Sequence, residues 1–473
     1  MSTLVSSQPL SRPRRAWHLF LEGLRGSERD FTTGHVGHAT IVLAIPMVLE
    51  MCMESLFAVV DVFFVSRLGA DAVAAVGLTE GMLTIVYSIA MGLVIGATAV
   101  VSRRIGEHDP DGAAIAAVQV IALGLFVSIA MAVAGPVIGR PLLELMGASP
   151  SVMGEPALYA VVMMSGCGSV VMLFLNNAIF RAAGDATVAM RVLWLANAFN
   201  IVLDPVLIFG IGPFPALGVM GAAVATTIGR TIGVLVQLAL LAYGTGRIRI
   251  AWRHVRLAPA VMWSVCRISG TGLLQILVDT TSWVVLVRVI ATFGSPAVAG
   301  YTIGIRTVLF ALLPSWGLSN GAATMVGQAL GAGKPDRAEA AVWTACRYNA
   351  IFLGAISAIF IVFAPQIVAI YTNDAVVAAG AIACLRIVSI GFVFFAYGMV
   401  LTQAFNGAGD AWTPTWINIA CFWVWQMPLA YGLALAVGLG PSGVYWAVMI
   451  AFSTLAVVSA VVFRRGRWKL KHV

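Results

Sequence analysis

Long apolar stretches separated by short polar punctuation run along almost the whole chain of 473 residues. The stretches fall at roughly 37–66, 73–102, 113–138, 153–180, 187–210, 217–243, 260–292, 297–330, 341–370, 376–405, 412–436 and 442–463. Each is near or above the about 20 residues that a helix needs to cross a bilayer. Between them stand Glu107-His-Asp-Pro-Asp-Gly, Gly147-Ala-Ser-Pro, Gly184-Asp, Gly212-Pro-Phe-Pro and Gly331-Ala-Gly-Lys-Pro-Asp. Such Gly, Pro and Asp clusters suit tight connections at an interface. The pattern predicts an all-α integral membrane protein of about 12 transmembrane helices, because in lipid a helix satisfies its own backbone polar groups.

Basic residues are confined to alternate connections. One side holds Arg103 and Arg104, Arg181, the 247–256 run, Lys334 with Arg337, and both chain ends, including Arg464, Arg465, Arg467, Lys469 and Lys471. The other side shows little beyond Arg67 and Arg140. Basic loops stay inside, so both termini are expected in the cytoplasm of a multi-pass cell-membrane protein. The first 35 residues lack a signal peptide's apolar core and cleavage site. They read as a cytoplasmic tail with an interfacial turn around Trp17–Leu21.

Composition agrees with this pattern. Hydrophobic residues make up 60% of the chain and charged residues 10%, against about 25% charged in soluble domains. The net charge of +8 sits at the ends and in loops rather than on one stripe, so nucleic acid is not an expected partner. Cys52, Cys167, Cys266, Cys346, Cys384 and Cys421 are isolated within apolar stretches. They read as small core hydrophobes, with no disulfide framework, resident metal or cofactor.

The chain also repeats itself. Gly69 matches Gly294, and 294 − 69 = 225. At that offset Gly92-Leu93 matches Gly317-Leu318, Gly106 matches Gly331, Pro110-Asp111 matches Pro335-Asp336, and Gly184-Asp185 matches Gly409-Asp410. Six helices per half is an even number, so both halves enter the membrane from the same side as parallel repeats about an axis along its normal. The expected division is a tail (1–36), a first lobe (37–245), a basic linker (246–259), a second lobe (260–464) and a basic tail (465–473). The lobes are expected to form two six-helix bundles related by a pseudo-two-fold axis.

Where the halves differ, one has specialised. Asp61 corresponds to Leu286, Asn200 to Trp425, Asp204 to Leu429 and Thr226 to Ala451. At all four positions the first half holds an oxygen-bearing side chain and the second has none. Intramembrane ionisable groups mark ion or proton pathways, and Asn197, Asn200 and Asp204 share one helix face. Carboxylate, amide and hydroxyl oxygens suit a hard cation such as sodium. Two desolvated carboxylates could equally carry a proton, and a structural polar network between helices accounts for the same residues. Glu50 and Glu54, one turn apart on the first helix, correspond to Gln275 and Asp279. They fit either a shared cavity wall or a hydrogen-bonded pair that packs helices. Arg288 and Arg306 fit snorkelling or pairing with acids. Pro46 bends the first helix, as a hinge or a static kink. Trp412, Trp416, Phe422, Trp423 and Trp425 could stack on planar cations or form packing and an interfacial belt.

From about residue 37 to 464 the chain resembles the multidrug and toxic compound extrusion (MATE) family. The resemblance rests on Pro46 with Val59-Val60-Asp61, on Arg67-Leu-Gly, on Phe180-Arg-Ala-Ala-Gly-Asp185, and on Asn200-Ile-Val-Leu-Asp204-Pro through Thr226. It implies cation-coupled export of varied, often cationic or amphipathic organic compounds. In the DinF-like subgroup the first-half cation site uses positions matching Asp61, Asn200, Asp204 and Thr226, and a bending proline matches Pro46. The NorM-like subgroup's tenth-helix acid falls near Phe395 here, so that site looks absent and the DinF-like subgroup is favoured. The expectation is a monomeric drug antiporter driven by Na+ or H+, with small organic substrates and membrane lipids as partners. Rival readings are a lipid-linked oligosaccharide flippase, which calls for a more basic cavity, and a membrane sensor that moves nothing. No catalytic set or nucleotide-binding motif points to an enzyme.

Overall fold

The computed structural model describes residues 12–26, 30–154, 157–244, 247–471 and 473. The rest of the predicted N-terminal tail, residues 1–11 and 27–29, lies outside them, as does position 246 of the linker. Among the described residues every regular element is helical. The segment expected as a turn around Trp17–Leu21 is part of a helix, α1 (Arg12–Arg25). It is fastened at its end, where Thr187 Oγ1 donates to Gly23 O at 3.0 Å and Arg191 Nη2 to Leu24 O at 2.9 Å.

The first half comprises α2 (Val36–Ser66), α3 (Ala70–Gly106), α4 (Pro110–Leu145), α5 (Ala157–Ala183), α6 (Ala186–Phe209) and α7 (Val219–Tyr243). The second begins with α8 (Pro259–Ala291), α9 (Ser295–Gly331) and α10 (Pro335–Ala369). It continues through α11 (Ala375–Ile390), α12 (Phe392–Gly407), α13 (Trp412–Asn418), α14 (Met427–Tyr431) and α15 (Pro441–Arg464). Among the described residues eleven segments are long and apolar enough to cross a membrane, and α11 with α12, taken as one span bent by 59°, makes a twelfth. Exposed apolar side chains such as Phe126, Val133, Val362 and Val424 coat the outside, the arrangement that lipid rather than water requires.

The break between α11 and α12 differs from the continuous span predicted over 376–405. It falls at Gly391, where the Ser389 carbonyl accepts from Ser357 Oγ at 2.7 Å. A side chain competing for backbone bonds, beside a residue without Cβ, is a recognised cause of kinking. A second irregularity lies in the span Trp412–Ala436, where π-helical turns (Ile419–Gln426 and Gly432–Ala436) flank α14. Pro428 removes a donor from this stretch.

Each half has its own apolar core. One cluster is drawn almost wholly from α2–α7, with Val265 and Ile268 added from the start of α8. The other runs from Leu286, near the end of α8, to Trp468. The halves meet along α2 with α9 and α3 with α8. Small residues permit this approach: a Cβ on Gly317 would stand 2.5 Å from Met47 O. The seam is tightest at the end carrying both termini, where Gly106 and Gly331 face each other's helices without side chains between them.

Segments near both chain ends straddle that end. Phe31 is buried beside Gly184 of the first half, while its neighbours are gripped by the second. Arg337 donates to Phe31 O at 2.9 Å, to Gly34 O at 2.7 Å and to Thr33 O, and Lys334 Nζ donates to Thr32 O at 3.0 Å. At the other terminus, buried Trp468 stacks on Phe463. Arg103 donates to Lys471 O, and Lys471 Nζ lies 3.2 Å from Asp410.

Candidate functional site

Asp61 is set in the outer part of α2, Asn200 and Asp204 in α6, and Thr226 in α7. All four are buried. Asn200 Nδ2 donates to Asp204 Oδ1 at 3.3 Å and to Thr226 Oγ1 at 3.0 Å. Asp61 lies within electrostatic range of Asp204. Asp61 Oδ1, Asp204 Oδ2 and Asn200 Oδ1 are buried with no hydrogen-bond partner among the described residues. Buried oxygens are costly to leave unsatisfied. Single unpaired oxygens also occur at Glu50 and Gln237, but here three fall in one group of side chains, as a site for a small hard cation, or for a proton shared by carboxylates, requires. The donor set therefore fits sodium by its chemistry and fits a proton equally.

Asn197 lies on the same face of α6 but turns to a different partner: its Nδ2 donates to Glu54 Oε2 at 3.4 Å. Glu54 Oε1 in turn accepts from Arg230 Nη2 at 2.9 Å. Glu50, one turn earlier on α2, accepts from Arg181 Nη1 at 2.7 Å and from Asn177 Nδ2 at 2.9 Å. Gln237 extends that network to Asn177 at 2.6 Å. The two glutamates are thus ion-paired to separate helices, which binds α2 to α5 and α7. Arg181, counted with the loop cations in the sequence, is buried here. Arg230 went unremarked there, although the repeat offset pairs it with Leu455, a contrast as sharp as those at the four oxygen positions.

The counterparts Gln275 and Asp279 do face open space. They line a cavity of about 440 Å³ whose walls include Trp283, Trp316, Phe395, Phe422 and Phe452. Asn418 Nδ2 donates to Asp279 Oδ1 at 2.8 Å. Asp279 is the only residue of that lining with an ionisable carboxylate, and it sits among aromatic faces. Phe395, at the position that corresponds to the tenth-helix acid of the NorM-like subgroup, stacks on Phe452 with centroids 3.9 Å apart. Of the aromatic group around α13 only Phe422 joins this wall. Trp412, Trp416, Trp423 and Trp425 are exposed on the outer surface. Arg288 and Arg306 are exposed as well. Pro46 is buried in α2 beside Met47, where α9 makes its close approach.

A sequence model of the MatE family matches the chain twice, over residues 46–206 and 272–432. The two matches begin 226 residues apart (272 − 46), close to the repeat spacing of the motifs. The chain is 24% identical over 441 residues to the probable multidrug resistance protein NorM of Thermotoga maritima, covering 92% of this chain and 93% of that one. It is 27% identical over 348 residues to the FAD transporter of Shewanella oneidensis, covering 72% and 75%. Among solved structures, a MOP superfamily transporter from Pyrococcus furiosus, described as having a binding pocket of reverse polarity that suggests a different function, matches with a TM-score of 0.87. The two share 27% identity over 93% of this chain and 98% of that one.

Proposed function

Since this chain belongs to the MatE family of multi-pass membrane transporters, we propose that it exports cationic or amphipathic organic compounds by antiport against Na+ or H+. The observation that carries the coupling is the set of three unpartnered buried oxygens on Asp61, Asn200 and Asp204. Asp61 and Asp204 supply the charge that takes up the ion, while Asn200 and Thr226 hold the second carboxylate in register. The substrate occupies the second-half cavity, its charge facing Asp279 and its rings against Trp283, Trp316 and Phe422. The first-half coupling set is the one expected of the DinF-like subgroup. The lobes 37–245 and 260–464 rock about the seam, Pro46 serving as the hinge at the point where α9 meets α2. Both termini and the basic loops lie in the cytoplasm, and the chain works as a monomer among membrane lipids, without nucleic acid.

Asp61→Asn and Asp204→Asn are expected to abolish efflux of a fluorescent organic cation from vesicles while leaving folded protein in the membrane. Full transport in both variants removes the coupling assignment. A second reading has one observation in its favour: Arg181 lines a narrow cavity between the halves, and one relative is named an FAD transporter. Gradient-driven release of flavin nucleotide, unaffected by Asp279→Asn, would establish an anionic substrate in place of the cationic one.

A further inference from the structure

At the offset that relates the halves, Glu54 corresponds to Asp279 and Arg230 to Leu455. In the second half, Asp279 and Leu455 both line the open cavity. In the first half the same two positions hold an acid with a guanidinium already on it. Where one half offers its carboxylate to a guest, the other carries a cation of its own.

That cation is not fully committed. Arg230 is 3% exposed, yet only Nη2 is bonded, to Glu54. Nε and Nη1 have no hydrogen-bond partner among the described residues, and neither has Asp61 Oδ1. Glu54 and Asp61 stand seven residues apart on α2, hence on one face about two turns apart. Arg230 is four residues from Thr226 on α7, and Thr226 bonds the Asn200 that holds Asp204. Asp61 already lies within electrostatic reach of the guanidinium. The two acids stand about 10 Å apart along α2, two turns of about 5.4 Å pitch, a span that a long flexible side chain anchored beside them can cover by swinging about its stem. The rings of Phe57 and Phe174 lie 5.2 and 6.0 Å from Arg230 Cζ, so the cation keeps attractive aromatic faces beside it.

We propose that Arg230 is a movable internal counter-cation, shared between Glu54 and Asp61, whose exchange makes coupling ion and organic cation mutually exclusive in the first half. This rests on the proposed function and adds to its second-half cavity a first-half binding point for the organic cation, at Glu54. With the ion on Asp61, the guanidinium sits on Glu54, as in the structure. When the ion leaves, the bare Asp61 carboxylate draws the guanidinium over. Glu54, whose side chain is 19% exposed, is then uncovered and attracts the substrate's charge. Ion return sends Arg230 back to Glu54 and displaces the substrate. Other groups that bear on the exchange are Glu80 and Tyr87 of α3, Tyr159 of α5, Asp204 of α6, and the Glu50–Arg181 pair at the next turn of α2.

The test is ethidium binding by the purified full chain in nanodiscs, first with sodium raised at fixed pH, then with pH lowered in the absence of sodium. In the unaltered chain one of the two ions should weaken ethidium binding by about tenfold, the usual size of coupling between linked sites, and Asp61→Asn should remove that dependence. Arg230→Gln should still bind ethidium but lose the competition, the ratio of affinities with and without ion falling close to one. Arg230→Lys, which keeps the charge, should retain most of it. Should Arg230→Gln fail to fold, Arg230→Met, whose apolar stem suits the Phe57 and Phe174 rings beside it, replaces it and should likewise lose the competition. Undiminished competition in the uncharged variants overturns the exchange while leaving the coupling site standing. Absence of any ion dependence in the unaltered chain overturns the coupling site, and the exchange with it.

Discussion

Glu50 and Arg181 illustrate what a buried charge does when it meets an opposite charge. Their contact is 2.7 Å, and both are shielded from solvent. A buried pair contributes little relative to apolar substitutes, but removing one partner strands the other and costs about 3–5 kcal/mol. Arg181→Met is therefore expected to lower the thermal unfolding temperature of the detergent-solubilised protein sharply. Glu50→Leu/Arg181→Met should recover most of the loss, and equal destabilisation of single and double variants would refute the pairing argument. Asp279 answers to a different criterion, because it lines a cavity rather than a helix contact. Asp279→Asn should weaken ethidium binding by at least about tenfold, since losing one side of a desolvated charge pair commonly costs 2–5 kcal/mol. An uncharged aromatic compound of similar size should bind almost as before.

At the scale of elements, the segment from Asp30 to Gly34 acts as a strap across the halves. The backbone carbonyls of Phe31, Thr32, Thr33 and Gly34 accept bonds from Lys334 and Arg337 of the second half, while Phe31 is seated in the first. Any opening of this end must break those bonds. Arg337→Ala is expected to raise the rate at which a Ser102→Cys reporter, buried in the seam against Gly327, reacts with maleimide. An unchanged rate would mean that the strap does not hold the end shut. The α2–α9 contact sets a second constraint. A side chain at Gly317 would meet the Met47 carbonyl, so Gly317→Val should prevent full closure and reduce exchange even with the ion site intact, as ion binding measured separately would reveal.

For the whole molecule, the halves pack tightly at the end near both termini while the second half keeps a cavity at mid-length of α8 and α9; on the proposed reading this is one arm of an alternating-access cycle. The two halves share a scaffold and differ in content: the first carries the unpartnered oxygens of Asp61, Asn200 and Asp204, the second the larger aromatic cavity. Imposing a sodium gradient and a pH gradient separately on vesicles should identify one that drives efflux. Dissipating it should stop transport with ATP still present; transport surviving collapse of both gradients would exclude antiport.

The sequence by itself determined the membrane class, the helices, the duplication and the four unequal positions at Asp61, Asn200, Asp204 and Thr226. Those signals are local or periodic: span length follows from bilayer thickness, and one constant offset exposes every departure from the repeat. Which charge meets which was decided only in the tertiary structure. Arg181 reads as a loop cation by its place at a helix end, yet packing turns it inward to Glu50. Asn197 shares a face with Asn200 and still bonds Glu54, because a helix face is wide enough to address two neighbours. The bend at Gly391 depends on Ser357 from another helix capturing a carbonyl, and the straps depend on chain ends meeting loops some 300 residues away. Contacts of that kind are fixed by three-dimensional packing, and hydrophobic spacing carries no record of them.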